Sequence, residues 1–227
     1  MDFLQDRQNI FQGLDPKVLE DLKEKAQIQK TRPKDHLFLE GQLASQVYFA
    51  KSGQYALYKL NNSGEKRIIF TLGPGDVLNY PEFHPRPMSI SCQVLKAGEV
   101  LTLSQDALIE AMKKDPLLAL RTLDLYNLRL RRLYRQLKNS SLYVRLDKRI
   151  AAKLWKLSRD YPKAHPLGTA IDMNLNMTLL AQFLGTSRES VSRNCKTLIS
   201  QGLLLQDKST WVIPNRPALE AYFKYSK

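Results

Sequence analysis

Ala181-Gln182-Phe183-Leu184-Gly185-Thr186-Ser187-Arg188-Glu189-Ser190-Val191-Ser192-Arg193, near the end of the 227-residue chain, decides how the rest is read. The spacing predicts a short helix over 178–184 with Leu180, Phe183 and Leu184 turned inward, and Ala181 small where a second helix must come close. Gly185 supplies the left-handed residue that ends it. Ser187 caps the second helix, whose Val191 and Leu198 face the core. Arg188, Glu189, Ser192 and Arg193 are then left on the exposed side. Arginine can bond guanine O6 and N7 bidentately, and glutamate can accept from cytosine N4. Thr178, Ser187 and Lys196 are placed to hold phosphates, which position a protein on a duplex without reading it. Residues 201–205 and Thr210-Trp211-Val212-Ile213 read as a small hairpin, a wing. An ordinary helical hairpin with a surface Arg–Glu pair is the plainer alternative; the wing and the charge balance weigh against it.

That balance is basic: 35 Lys and Arg against 22 Asp and Glu, net +13. Residues 140–227 alone hold 14 basic against 6 acidic side chains. The excess is concentrated where the helix-turn-helix lies and favours a polyanion, with double-stranded DNA ahead of a membrane surface. No apolar run reaches about 18 residues, so no membrane span is expected. The N-terminus lacks a basic region followed by an apolar one, which points to a cytoplasmic protein. Cys92 and Cys195 are far apart, and the three histidines do not cluster with them. No metal site, structural zinc or four-cysteine cluster is expected. No Ser/His/Asp, paired-carboxylate or metal constellation supports an enzyme, and no catalytic residue is assigned.

Upstream, Asp115-Pro116 begins a helix reaching to about Asn139, with Asp at the N-cap and Pro at N1. Leu120, Leu123, Asn127, Leu130, Tyr134 and Leu137 follow alternating steps of three and four, a heptad seam suited to pairing with a second copy. Leu117, Leu118, Leu125 and Leu128 offer a second apolar face, and Arg129, Arg131, Arg132 and Arg135 the solvated remainder. A single core helix in a monomer is the alternative. Ser140-Ser141 reads as a hinge. A helix over 144–161 follows, then a loop over 162–168 and a short strand over 170–175.

Residues 29–102 change character. Short apolar or alternating runs recur between turn signals such as Lys51-Ser52-Gly53, Asn62-Ser63-Gly64 and Gly73-Pro74-Gly75, which suggests an antiparallel sandwich or barrel. Ahead of it, Asp15-Pro16 starts an amphipathic helix, within weak helical periodicity over 3–28. Ser104 caps another short helix.

Gly185-Thr186-Ser187-Arg188-Glu189-Ser190-Val191-Ser192-Arg193 resembles the recognition segment of the CRP/FNR superfamily (cyclic-AMP receptor protein and fumarate–nitrate regulator), and the order of elements matches over nearly the whole chain. The resemblance implies an α+β chain: an N-terminal β-roll, of the cyclic-nucleotide-binding-like jelly-roll kind, with flanking helices at 1–114, a dimerisation helix and hinge at 115–140, and a winged helix-turn-helix at 141–227. It implies a homodimeric transcription regulator that reads a palindromic operator with Arg188, Glu189 and Arg193, carries Ser192 as in the FNR-like branch, and has RNA polymerase as a further partner. Asn194 departs from the family pattern, where an apolar residue is usual.

In such a family a Gly-Glu-Leu cassette and a following Arg-Ser or Arg-Ala hold a cyclic phosphate. Here the matching stretch is Gly75-Asp76-Val77-Leu78-Asn79-Tyr80-Pro81-Glu82-Phe83-His84-Pro85-Arg86-Pro87-Met88. The cassette is absent, and Pro81, Pro85 and Pro87 lack amide donors that a phosphate needs. Cyclic AMP is therefore not the expected effector. A small organic molecule between β-roll and long helix is, with Tyr80, His84, Arg86, Asn127 and Tyr134 as candidate lining. Haem held through His84 stays open, as do a redox-responsive regulator and a constitutive DNA binder whose β-roll only supports dimerisation. No cofactor is assigned with certainty, and a buried, inert cysteine is the plainer reading of both thiols.

Overall fold

The computed structural model describes residues 10–84, 86–139 and 144–225. They divide into two compact units, Met1–Lys59 with Ile69–Tyr134, and Leu60–Ile68 with Arg135–Lys227. The Ser140-Ser141 hinge and Pro85 lie outside the described residues, as do residues 1–9 of the N-terminal helical stretch.

The first unit opens on α1 (Pro16–Lys25), and Asp15 caps it as expected by accepting the Lys17 amide at 2.8 Å. Seven strands follow: β1 (Gln27–Thr31), β2 (His36–Phe38), β3 (Gln46–Ala50), β4 (Gln54–Leu60), β5 (Lys66–Leu72), β6 (Ser91–Lys96) and β7 (Gly98–Ser104). They build two sheets, ordered β1-β7-β3 and β2-β6-β4-β5. The pairing of β3 with β7 and of β4 with β6 is antiparallel, with Val47 opposite Leu103 and Leu57 opposite Cys92. Short strands between glycine turns can bury one face only by folding two sheets together. The buried set Phe38, Tyr55, Leu57, Phe70, Leu78, Cys92 and Val94 is that inner face. Tyr55 is fully buried, and its hydroxyl is satisfied by donating to the Ser52 carbonyl at 2.8 Å. Two glycines are sterically required where the β6–β7 turn meets the turn before β4. A Cβ on Gly98 would lie 2.2 Å from the Ser52 carbonyl oxygen, and one on Gly53 2.8 Å from that of Lys96.

Ser104 caps α2 (Gln105–Lys114), and α3 (Pro116–Asn139) follows directly. Asp115 serves both ends of that junction, closing α2 and accepting the Leu117 amide at 3.0 Å. The inward face of α3 differs from expectation. Leu118 and Thr122 are buried, and Leu125, Tyr126, Arg129 and Leu133 are half-buried, whereas Leu117 and Leu128 are exposed. The reason is phase: 118, 122, 125, 129 and 133 advance by three and four along one stripe, and 117 and 128 fall beside it. The seam residues Leu120, Leu123, Leu130, Tyr134 and Leu137 all lie outward, 44–68% exposed.

The second unit contains α4 (Leu146–Asp160), β8 (Pro162–His165), β9 (Gly168–Ile171), α5 (Met177–Leu184), α6 (Arg188–Ser200), β10 (Leu205–Asp207), β11 (Thr210–Ile213) and α7 (Arg216–Tyr225). Its sheet runs β10-β11-β9-β8. Three expectations are corrected here. Residues 162–168 are not a loop but a strand and a tight turn, because Gly168, at φ 137°, lets β9 double back on β8. Consequently β9 ends at Ile171 rather than Leu175. The wing begins at Leu205, since Gln201 closes α6 and Gly202 turns the chain at φ 70°. The core joins Ile150, Leu154 and Leu157 of α4 to Leu180, Phe183, Val191, Cys195, Leu198, Trp211 and Leu219, all buried. Each such aliphatic side chain contributes about 1.5–3 kcal/mol relative to exposure.

Candidate nucleic-acid interface

The helix-turn-helix forms as its sequence requires. Asn176 caps α5, which begins at Met177, one residue before the expected start, and its Oδ1 accepts the Leu179 amide at 2.8 Å. Gly185 takes φ 61° and ψ 50°, and its amide and that of Thr186 both return to the Ala181 carbonyl. Ser187 Oγ accepts the Ser190 amide at 3.2 Å and donates to the Ser190 hydroxyl at 3.0 Å. That hydroxyl therefore serves the cap first. Val191, Cys195 and Leu198 repeat at three to four residues and bury one side of α6. The opposite side carries Arg188, Glu189 and Arg193 fully outward, with Ser192 half-buried between them and Lys196 one turn on. These five line one open cleft. Glu189 sits in the first turn, where a carboxylate complements the helix dipole. Asn194, the departure from the family pattern, is half-buried and satisfied internally: its Nδ2 donates to the Ser190 carbonyl at 2.8 Å.

A second cleft of about 350 Å³ adjoins it, bounded by Asn176, Thr178, Arg188, Gln206, Ser209 and Trp211 among others. Thr178 and Arg188 thus meet in one recess between the starts of α5 and α6 and the wing. Gln206 and Ser209 are its additional polar members. Sequence reasoning missed both because Gln206 sits in a three-residue strand and Ser209 in the turn after it, and neither carries a signature of its own. Trp211 anchors the recess, its indole N–H donating to the Leu175 carbonyl at 2.6 Å.

Two models of known families match. The Crp-like helix-turn-helix domain covers residues 148–222, and the cyclic nucleotide-binding domain covers residues 28–115. This chain belongs to the CRP/FNR superfamily of transcription regulators. Among similar proteins is the CRP-like cAMP-activated global transcriptional regulator of Mycobacterium tuberculosis, 24% identical across 93% of this chain and 95% of that protein. The anaerobic regulatory protein of Bacillus subtilis is 26% identical across 86% and 82%. Among solved structures, FixK2 of Bradyrhizobium japonicum superposes with a TM-score of 0.76 at 22% identity, covering 89% of this chain and 99% of that one, a likeness of fold. The CRP/FNR family is non-enzymatic, and this member is a regulator with a DNA-binding helix-turn-helix and an effector-binding domain.

In the effector-binding domain of this CRP/FNR protein the candidate lining residues do not assemble as a group. His84 and Arg86 are exposed. Asn127 and Tyr134 are exposed on the outward, seam side of α3, a phase that keeps them from also facing the strands of their own chain. Tyr80 does meet α3, through residues that sequence reasoning left unassigned or on the solvated surface. Its ring stacks on Tyr126 at 3.9 Å between centroids, and the Arg129 guanidinium lies 4.5 Å from it. Crossed hydrogen bonds close the contact: Tyr80 donates to the Leu125 carbonyl at 3.3 Å and Tyr126 to the Pro81 carbonyl at 3.2 Å. Arg129 also donates to the Val77 carbonyl, and Arg132 lies 3.9 Å from the Asp76 carboxylate. Burial pushes both phenols up, Tyr126 to about 12, and lowers the Arg129 guanidinium. The periodicity of α3 could have pointed to Tyr126 and Arg129, since both fall on the stripe set by Leu118, Thr122 and Leu125.

Proposed function

We propose that the chain is a homodimeric, sequence-specific regulator that reads a palindromic operator and is controlled by a small organic molecule at the β-roll. The observation that carries this reading is the row Arg188, Glu189, Ser192 and Arg193 on one side of α6, whose other side is buried. Arg188, Glu189 and Arg193 read base edges, with Ser192 between them. Thr178 and Lys196 hold phosphates, joined by Gln206 and Ser209 around the recess, while Ser187 contributes through its cap. The seam Leu120, Leu123, Asn127, Leu130, Tyr134 and Leu137 pairs two copies, which sets two recognition helices about one helical turn of DNA apart. The sensing part is 1–114, the dimer helix and hinge 115–140, and the DNA-binding part 141–227, working in the cytoplasm with RNA polymerase as the downstream partner. A cyclic nucleotide is not the effector in this reading, because the Gly-Glu-Leu cassette is absent and Pro81, Pro85 and Pro87 lack amide donors that its phosphate would need.

A second reading, DNA binding without an effector, is favoured by one observation: side chains of α3 itself, Arg129 and Tyr126, already engage Val77, Tyr80 and Pro81. Mass spectrometry of the purified protein, together with its absorbance spectrum, separates the arms, with a bound small molecule, haem or nothing as the outcomes.

Selection from a palindromic DNA library tests the core of the proposal. Arg188→Ala should relax preference at one position of each half-site by about 1–3 kcal/mol. Lys196→Ala should instead weaken all sequences together and reduce the salt slope by about 0.9 for each phosphate it no longer neutralises. A wild-type protein with no sequence preference, with or without the small molecules that copurify with it, would refute the reading.

A further inference from the structure

Arg149 lies on α4, away from the row of base-reading residues, and belongs to no motif. Its Nη2 donates to the main-chain carbonyl of Leu184 at 2.6 Å. Leu184 is the last residue of α5, and the carbonyls of a last helical turn have no partner within their own helix. They also form the negative end of the helix dipole, where a cation is favoured. One turn further along α4, the Lys153 ammonium stands 4.5 Å from the centre of the Phe183 ring. Two cationic side chains of one helix face therefore bear on consecutive residues at the end of α5.

Holding the end of α5 there also fixes where α6 begins. Only Gly185, Thr186 and Ser187 separate Leu184 from Arg188, the first residue of α6. Burial of Val191, Cys195 and Leu198 seats α6 from the end of its first turn onward, and the residues ahead of Val191 are placed by this three-residue link. A bidentate arginine–guanine contact tolerates displacements of only a fraction of an ångström. An unsecured Leu184 carbonyl would shift Arg188 and Glu189 while leaving the rest of the helix seated.

We propose that Arg149 is a positioning residue for base recognition, setting the start of α6 through the Leu184 carbonyl without touching DNA. This rests on the proposed role of α6 as the base-reading helix, so the test has one arm that uses DNA and one that does not. Arg149→Met in the full-length dimer should lose about tenfold in the ratio of affinities for the selected operator and a scrambled duplex, with the salt slope unchanged. In the absence of DNA, the amides of Gly185 and Thr186 should exchange with solvent faster. Arg149→Lys, which keeps a cation and a donor, should recover part of both and serves if the methionine variant folds poorly. Parallel weakening on both duplexes with a shallower salt slope would make Arg149 a phosphate contact and overturn the proposal. A lower Tm with unchanged discrimination and exchange would make it merely structural, with the same consequence. If the wild-type protein shows no operator preference, the DNA-reading proposal fails by itself, and the exchange measurement still decides the role of Arg149.

Discussion

Tyr222→Phe removes one hydroxyl from the contact between α7 and the start of α4, where that hydroxyl serves a buried carboxylate. Tyr222 donates to Asp147 Oδ2 at 2.5 Å. Asp147 is 3% exposed and also accepts two bonds from Arg145, at 2.9 and 3.3 Å. Burial alone would raise the Asp147 pKa, but the Tyr222 hydroxyl, the Lys148 amide and Arg145 together outweigh it and hold the group below its ordinary 3.8. On the other partner, burial and the bond to Asp147 push the Tyr222 phenol up to about 12. Phenylalanine keeps the ring and its packing, so no cavity opens, and the loss is that of one hydrogen bond to a charged acceptor, about 1.5–3 kcal/mol. The sign with pH is set by the carboxylate. A depressed folded pKa contributes stability that is complete above 3.8 and is lost as pH falls through the lower folded value. The variant's Asp147 moves back toward its ordinary value, so the gap between the two proteins should narrow on acidification. Urea unfolding followed by tryptophan fluorescence measures this, because both tryptophans, Trp155 and Trp211, lie in the same unit as the contact. A gap below about 0.5 kcal/mol near neutrality, or one that stays constant down to about pH 3, would show that the hydroxyl does not support the carboxylate in this way.

Leu123, 61% exposed on the seam side of α3, should tolerate charge in a monomer but not in a paired helix. Leu123→Glu is expected to shift sedimentation at micromolar concentration from dimer to monomer while leaving the circular dichroism of the fold unchanged; retention of the dimer would remove the seam from the interface. Cys92 and Cys195 are both buried, and burial raises both thiols, Cys195 to about 11. Neither should react with a disulfide reagent near neutral pH until the chain is unfolded in denaturant; rapid labelling of the native protein would contradict the packing and reopen a redox role.

The recognition segment was legible because each of its residues answers to a local rule. Gly185 must be left-handed, Ser187 must cap, and Val191 and Leu198 must share a face, so the exposed row on α6 follows by elimination. The caps at Asp15, Ser104 and Asp115 were legible for the same reason. What escaped prediction depends on contacts between distant segments. Residues 162–168 look like a loop because Pro162 and Pro166 mask a hairpin that only the turn at Gly168 completes. On α3, apolarity alone put Leu117 and Leu128 on the inner face, but the stripe that meets the strands also uses Thr122, Tyr126 and Arg129. Arg149, Gln206 of β10 and Ser209 of the wing turn carry no local pattern at all; their place is set by where other elements bring them.

Pro81 and Pro87 also change the balance of donors and acceptors in their stretch. A loop that grips a phosphate does so with amide hydrogens. These two positions offer none, while their carbonyls remain. The groups of α3 that meet this stretch are donors: a phenol donates to the Pro81 carbonyl, and a guanidinium donates to the Val77 carbonyl. Acceptors on this side of the strands are thus met from within the chain, by hydrogen-rich groups of α3.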